Sequence, residues 1–138
     1  MSDLQCAARV FVAAYADEAT SRQLASLLSG ERIARVWATA GEQAVESAGV
    51  TAGVLGVEVV VREDLPDLLG EVADTHRGEG VLVVSARDVI LETVPLLSRN
   101  LTFSRASELS LREGDVIALE SDADGWVART WAGETFAE

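Results

Sequence analysis

The stretch Val81-Leu82-Val83-Val84-Ser85 is the part of this sequence that decides its fold class. Four consecutive apolar residues are followed at once by Ala86-Arg87-Asp88, where a pattern typical of a helix begins. A continuous apolar run, unlike an alternating one, is typical of a parallel strand buried on both faces. The stretch therefore predicts a central strand over residues 81–84 and a helix over residues 88–93, which Pro95 bends or stops.

The same strand-then-helix pattern occurs three times earlier in the chain. Apolar, often β-branched runs predict strands over residues 9–15, 32–39 and 57–61. Thr20 is placed to cap the first helix, on which one face carries Leu24, Leu27 and Leu28. Residues 42–55 are predicted to form the second helix. Pro66 lies in the first turn of the third helix, whose buried stripe consists of Leu65, Leu68, Leu69 and Val72.

The C-terminal part of the sequence predicts an antiparallel hairpin. Residues 115–120 and 126–131 are expected to be strands, joined by the turn sequence Asp122-Ala123-Asp124-Gly125. Strands that alternate with helices predict an α/β fold with a mostly parallel sheet, helices on both faces and this hairpin at one edge. We expect a single domain over residues 1–138, a length that can bury such a core.

The charge of the chain argues against binding to nucleic acid, and the length of its apolar segment argues against membrane insertion. The formal net charge is −12, whereas binding to nucleic acid requires basic residues that displace counterions from phosphates. The apolar segment over residues 7–16 is too short to cross a bilayer, so we expect no membrane insertion.

A single cysteine, Cys6, suits a cytoplasmic protein. All the basic residues are arginine, which is typical of a GC-rich, bacterial genome.

The residues that follow the predicted strands carry a resemblance to a known family. In an open α/β sheet, ligands bind in the crevice at the carboxyl ends of the strands. Over residues 9–131 the chain resembles the histidine phosphatase (phosphoglycerate mutase-like) superfamily. Members of that family end the first strand in Arg-His-Gly, and the histidine becomes phosphorylated. The corresponding residues here are Ala14, Tyr15 and Ala16.

The other two family motifs are also changed in this chain. Where the family has a phosphate-binding arginine after the second strand, this chain has Gln43, although Ala44 and Ala48 match the packing residues. The family motif Ser-His-Gly-Gly after the fourth strand begins with the matching Ser85. Ala86 then replaces the second catalytic histidine, and Arg87 replaces the first glycine.

Family enzymes commonly carry a long helical insertion between the third and fourth strands, which covers the substrate. Residues 62–80 leave room for one helix and two short loops, so we expect a domain without this lid. Asp67 is the carboxylate nearest to the place of the acidic proton donor of the family.

The resemblance and these replacements together imply a catalytically inactive protein, a pseudoenzyme that acts through protein association as a homodimer or accessory subunit. No cofactor and no metal are expected. Recognition could use Tyr15, Trp37 and Arg87 in the crevice, or the C-terminal aromatic residues Trp126, Trp131 and Phe136. Two alternatives stay open: a residual phosphohydrolase or mutase with altered chemistry, and a small-ligand sensor that uses the crevice.

Several remaining residues are expected to have structural roles. His76, the only histidine, is predicted at the end of the third helix, on the side of the sheet opposite the crevice, where it interacts with the last carbonyls. A set of acids could bind Mg²⁺ or Ca²⁺, but their positions favour helix N-terminal acids that face the helix dipoles; these are Asp17, Glu18, Glu42 and Asp88. Gly49, Gly53 and Gly56 are expected to allow close packing of the second helix on the sheet.

Overall fold

The computed structural model describes residues 8–98, 116–122 and 125–130. Strands and helices alternate along this part of the chain, and the first helix is followed by a 3-10 turn at Ser29–Glu31. The elements are β1 (Arg9–Ala14), α1 (Glu18–Leu28), β2 (Ile33–Thr39), α2 (Glu42–Leu55), β3 (Val59–Arg62), α3 (Leu65–Thr75), β4 (Gly80–Ser85), α4 (Arg87–Leu97), β5 (Val116–Asp122) and β6 (Gly125–Thr130).

The described strands form one mixed sheet in the order β3-β2-β4-β1-β5-β6. The four strands β3, β2, β4 and β1 are parallel to one another, and β4 lies between β1 and β2. β5 pairs antiparallel with β1, and β6 pairs antiparallel with β5. The predicted α/β architecture, with a mostly parallel sheet and an antiparallel hairpin at one edge, is therefore confirmed.

Helices cover both faces of the sheet because the parallel strands are apolar on both faces. On one face, Val10, Val12 and Val83 pack against buried residues of α3 and α4. On the other, Phe11 and Leu82 pack against the buried residues of α1 and α2. β1 and β4 form the centre of this core, and all six β4 residues are buried.

Three details of the helices differ from the prediction. α1 begins at Glu18, and its N-cap is Asp17, whose carboxylate accepts the Thr20 backbone N–H at 2.8 Å. Thr20 is therefore inside the helix and does not cap it. Leu27 is 51% exposed, so the buried stripe of α1 includes only Leu24 and Leu28 of the three predicted leucines. α4 continues to Leu97, past Pro95, which lies in its last turn.

The glycines of α2 do not pack on the sheet, so that prediction was wrong. Gly49 and Gly53 are exposed, and no atom lies within 4 Å of the place that a Cβ would take at either residue. The sheet-facing stripe consists instead of Ala44, Ala48 and Ala52. Gly56 ends α2 in a left-handed conformation with φ of 73°, where a residue without a Cβ is favoured.

One helix with short loops connects β3 to β4, as the short segment between them predicted. The hairpin strands begin and end within two residues of the prediction, while the tip of their turn lies outside the described residues. No helix in the described ranges combines the length and the apolar character needed to cross a membrane.

Candidate functional site

The carboxyl ends of β1, β2 and β4 meet at one edge of the sheet and form a crevice with the N-termini of α1, α2 and α4. The crevice contains two adjoining depressions of about 290 Å³ and about 540 Å³, which share Tyr15, Gln43 and Glu46. The smaller one is completed by Ala16, Asp17, Glu18 and Val50. The larger one is completed by Thr39, Ala40, Gly41, Glu42, Ala44 and Ala86.

Buried hydroxyl groups hold the loop that follows β1. The Ser47 Oγ accepts the Ala16 backbone N–H at 3.2 Å, while the Ser21 Oγ donates to the Ala16 carbonyl at 3.3 Å. The two hydroxyls are 2.9 Å apart, and a consistent arrangement has Ser47 donating to Ser21. The Thr51 hydroxyl donates to the Ser47 and Ser21 carbonyls. This cluster joins α1 to α2 and fixes the backbone beside Tyr15.

A second pair of hydroxyls lies beneath the larger depression. Thr39 Oγ1 at the end of β2 and Ser85 Oγ at the end of β4 are 2.8 Å apart, and both residues are buried. The Ser85 carbonyl also accepts the Tyr15 backbone N–H at 3.0 Å. Hydrogen bonds thereby join the ends of β1, β2 and β4 beneath the crevice.

The crevice is acidic in the part of the chain that the structure describes. Its lining includes the carboxylates of Asp17, Glu18, Glu42 and Glu46, and no side chain of histidine, cysteine, lysine or arginine. Glu18 forms an exposed ion pair with Arg22 at 3.2 Å. The hydrogen bond from the Thr20 N–H holds the pKa of Asp17 below its usual value.

The acids do not gather as a metal site within the described ranges. No three side chains of histidine, cysteine, aspartate or glutamate come close enough together there to hold a metal ion. Asp17 instead caps α1, and Glu18, Glu42 and Asp88 each lie in the first turn of a helix. In those positions a negative charge stabilises the helix through its dipole.

Four of the six predicted crevice residues line the depressions: Tyr15, Ala16, Gln43 and Ala86. Ala14 does not, because its side chain is buried in the core on the α3 and α4 side of β1. Arg87 is the first residue of α4, and its side chain is exposed outside both depressions. The roles assigned to these residues from the resemblance stay predictions.

Trp37 is not a crevice residue, so its expected role in recognition was wrong. It is only 1% exposed and lies in the core between β2 and α3. Its indole Nε1–H donates to His76 Nε2 at 3.2 Å, and the two rings meet edge-on. The Arg62 guanidinium lies 5.3 Å from the centroid of the Trp37 ring.

His76 lies at the amino end of the parallel sheet, away from the crevice, as its position after α3 predicted. Because an indole nitrogen can only donate, Nε2 is unprotonated and Nδ1 carries the proton, which it donates to Glu79 at 2.8 Å. The ring thus binds two side chains rather than the helix carbonyls expected from the sequence. A buried structural role accounts for the only histidine in the chain.

Sequence reasoning missed three residues at the crevice. Glu46 and Val50 line it because they follow Gln43 by one and two turns on the same face of α2. That helical spacing from Gln43 would have been enough to predict both residues from the sequence. Ser47 supports the loop after β1 through a bond across 31 residues of sequence, for which no local signal exists.

The C-terminal aromatic residues are only partly described. Trp126 is half-buried and packs against the core on the α3 and α4 side of the sheet. Trp131 and Phe136 lie outside the described residues, so their predicted role in association stays a prediction.

Solved structures resemble this chain over nearly its full length. YhfR of Bacillus stearothermophilus superposes with a TM-score of 0.75 at 10% identity, covering 93% of this chain and 98% of the other. A phosphoglycerate mutase from Plasmodium falciparum gives 0.66 at 13% identity, covering 96% and 95%. A mycobacterial glucosyl-3-phosphoglycerate phosphatase gives 0.69 at 11% identity, covering 89% and 98%.

The chain has the histidine phosphatase fold. The predicted resemblance is thus confirmed at the level of the fold. No protein-family model and no curated protein matches the sequence. At these identities the superpositions show the fold of this chain and nothing about its activity. Its activity has to be argued from the chemistry of the crevice.

Proposed function

We propose that this chain is a catalytically inactive protein of the histidine phosphatase fold that acts through protein association, as a homodimer or as an accessory subunit. The observation that supports the inactivity is the lining of the crevice. Tyr15, Gln43 and Ala86 stand at the places where the resemblance expects the two histidines and a phosphate-binding arginine. The side chains around them add carboxylates rather than cations.

Phosphoryl transfer requires a nucleophile and positive charge around the transferred group. A tyrosine hydroxyl, with a usual pKa of about 10, is a weak nucleophile unless a neighbouring base or cation activates it. The described crevice lining offers Tyr15 no cationic side chain, and His76 is held by Trp37 and Glu79 at the other end of the sheet. Asp17 and Glu46 would also repel a phosphate dianion.

The inactivity is tested with p-nitrophenyl phosphate, phosphoglycerates and a phosphoprotein. We expect no turnover above that of a Tyr15→Phe variant, which removes the hydroxyl and keeps the ring. Turnover at ordinary enzyme rates that survives repurification, and that Tyr15→Phe or Asp67→Asn abolishes, would contradict the proposal.

Weak anion binding is a separate expectation from the same crevice. Desolvating a phosphate requires paired charges and donors, and the described lining carries carboxylates at Asp17, Glu18, Glu42 and Glu46. Calorimetry with phosphate, vanadate and sulfate should therefore show no micromolar binding. A micromolar dissociation constant that Gln43→Ala weakens would count decisively against this view.

Association is tested on the whole chain by light scattering and by recovery of partners from the native source. The double variant Trp131→Ala, Phe136→Ala and a chain truncated after Ala132 examine the C-terminal region. A wild type that is monomeric and recovers no partner, with variants that change stability alone, would leave the proposed association without support.

A small-ligand sensor is a second candidate, supported by the size of the larger depression. About 540 Å³ falls within the range of roughly 300–1,000 Å³ that small-molecule sites occupy. A metabolite screen by thermal shift separates the two proposals. A stabilising compound whose effect disappears in Glu46→Ala favours the sensor over an association protein. The remaining alternative, a residual phosphohydrolase or mutase, is decided by the turnover assay.

We also propose a cytoplasmic location and no binding to nucleic acid. The single cysteine and the net charge of −12 support these two proposals.

A further inference from the structure

One face of α2 points away from the sheet and is exposed in the part of the chain that the structure describes. The helix packs on the sheet through its buried alanine stripe and also packs against α1. Residues spaced by four, three and four positions share the opposite face of a helix. On α2 these exposed residues are Glu42, Glu46, Gly49 and Gly53, which together are called the outer α2 face.

The usual reasons for a glycine do not apply to Gly49 and Gly53. Both lie inside the helix, where glycine is less favourable than alanine, and neither caps it or has a positive φ. Among the described residues, no atom lies within 4 Å of the place that a Cβ would take at either glycine. Because α2 has no side chains there, a second helix can bring its backbone unusually close.

The two acids of the outer α2 face are not neutralised within the described ranges. Neither Glu42 nor Glu46 has an ion pair or a side-chain hydrogen bond there, and α2 contains no basic residue. Glu42 lies in the first turn, where the helix dipole favours it, but Glu46 lies beyond that turn. Glu46 also lines both depressions of the crevice with Tyr15. The acidic half of this face is therefore continuous with the acidic crevice.

These charges decide what kind of molecule fits the outer α2 face. Two copies of α2 in parallel orientation would bring their glutamates together. In antiparallel orientation the acids of each copy would meet the last turn of the other α2, which has no basic residue and carries the negative end of the helix dipole. The net charge of −12 also makes two copies repel each other. A basic partner is thus favoured over a second copy.

We propose that the outer α2 face docks a basic helix of a different protein, antiparallel to α2, with the two backbones in close contact at Gly49 and Gly53. Arginine or lysine residues in the last turns of the partner helix then face Glu46 and Glu42, one and two turns away from Gly49. Cations are favoured in the last turn of a helix, and the antiparallel orientation places that negative end beside the positive end of α2.

The position of Glu46 extends this contact into the crevice. A basic side chain that pairs with Glu46 lies at the rim of both depressions, beside the half-buried ring of Tyr15. The face of an aromatic ring attracts a guanidinium or ammonium group. This docking deepens the accessory-subunit alternative of the proposed function and rests on it.

A selection of helical peptides tests which chemistry the surface accepts. Alanine-based helices of the length of α2, randomised along one face, are displayed on phage and selected on the whole chain. We expect enrichment of arginine and lysine in the last turns, and of glycine, alanine or serine at two positions one turn apart. The most enriched peptide is then synthesised, and its affinity is measured by fluorescence anisotropy.

Gly53→Leu and Glu46→Arg test the two halves of the outer α2 face with that peptide. The leucine occupies the space of the partner backbone and should abolish binding, and the arginine should weaken it at least about tenfold because like charges then meet. Gly70→Leu and Glu92→Arg are matched controls. Gly70 is likewise an exposed helical glycine with open space, in α3, and Glu92 is exposed on α4. Both controls should bind like the wild type, and all four variants should keep its circular dichroism spectrum.

Three results would overturn the docking on α2. One is a selection that enriches no basic helix. Another is a selected peptide that binds Gly53→Leu and Glu46→Arg as well as it binds the two controls. The third is a wild type that self-associates and loses this association in Gly53→Leu, which makes a second copy the occupant.

Partner recovery from the native source separates this inference from the proposed function. If wild type, Gly53→Leu and Glu46→Arg recover the same partner equally well, association stands and the docking on α2 fails. If only the two controls retain the partner, and the segment that cross-links to α2 is a basic helix, the docking is supported. If no variant and no wild type recovers a partner, the proposed association fails and this inference fails with it.

Discussion

Replacing His76 with phenylalanine should destabilise this protein through Trp37 rather than through lost packing. The imidazole is the acceptor of the Trp37 Nε1–H at 3.2 Å, and both residues are buried, at 4% and 1% exposure. Phenylalanine fills a similar volume but offers no acceptor, so the indole N–H stays buried and unpaired. The bond from Nδ1 to Glu79 is also lost, although the Glu79 side chain is 53% exposed.

The unpaired indole determines the size of the effect. Leaving a buried donor unsatisfied costs about 1–3 kcal/mol, and the half-exposed contact with Glu79 adds about 0–1 kcal/mol. We therefore expect His76→Phe to lower the free energy of unfolding by roughly 2 kcal/mol. For a chain of this length that lowers Tm by roughly 5–10 °C.

A double-mutant cycle isolates the bond. Trp37→Phe removes the donor, so in that background His76→Phe should cost less by about 1–3 kcal/mol, the cost of the unpaired indole N–H. His76→Gln, whose side-chain oxygen can accept near the place of Nε2, should recover part of the loss. Urea unfolding followed by circular dichroism measures each value. Equal costs of His76→Phe in both backgrounds would refute the reasoning.

Three further predictions concern α1 and α2. Ser47→Ala should lower stability by about 1–2 kcal/mol in urea unfolding, because the Ala16 N–H loses its acceptor; an unchanged midpoint would contradict this. Gly49→Ala should raise stability by about 0.5–1 kcal/mol, because the site is exposed, helical and open, whereas Gly56→Ala should lower it. Asp17→Ala should lower Tm at neutral pH. The folded pKa of Asp17 lies below its usual 3.8, so this difference should disappear as pH falls through the folded value; a difference that persists at lower pH would argue against the carboxylate as the cap.

Much of the fold could be predicted from local sequence patterns. The run at Val81–Val84 predicts a doubly buried strand because four adjacent apolar side chains must point to both faces of a sheet. The turn sequence at residues 122–125 predicts the hairpin between β5 and β6 for an equally local reason. The crevice follows as well, since carboxyl ends of parallel strands meet at one edge, and it brings Tyr15, Gln43 and Ala86 together.

Predictions that depended on three-dimensional position were less successful. The capping of α1 was assigned to Thr20, but the backbone geometry places Asp17 at the cap. The burial of Leu27, Gly49 and Gly53 was also predicted wrongly. Helical periodicity shows which residues share a face of the helix, but it does not show how much of that face the neighbouring elements cover. Trp37 was placed in the crevice because it is near the end of β2, yet its side chain points into the α3 face.

The sequence by itself determined the elements of this protein and the acidic character of the crevice, since these follow from residue type and spacing along a few turns or strands. The tertiary structure decided the placement of β4 between β1 and β2 and thereby every contact across the sheet. The bond of Trp37 to His76 joins residues 39 apart, and the bond of Ser21 to Ser47 joins residues 26 apart. Such pairs leave no periodic signal in the sequence, because they form only when separate elements pack against each other. The position of β3 at the edge of the sheet is likewise set by the order of the strands, which no local pattern encodes.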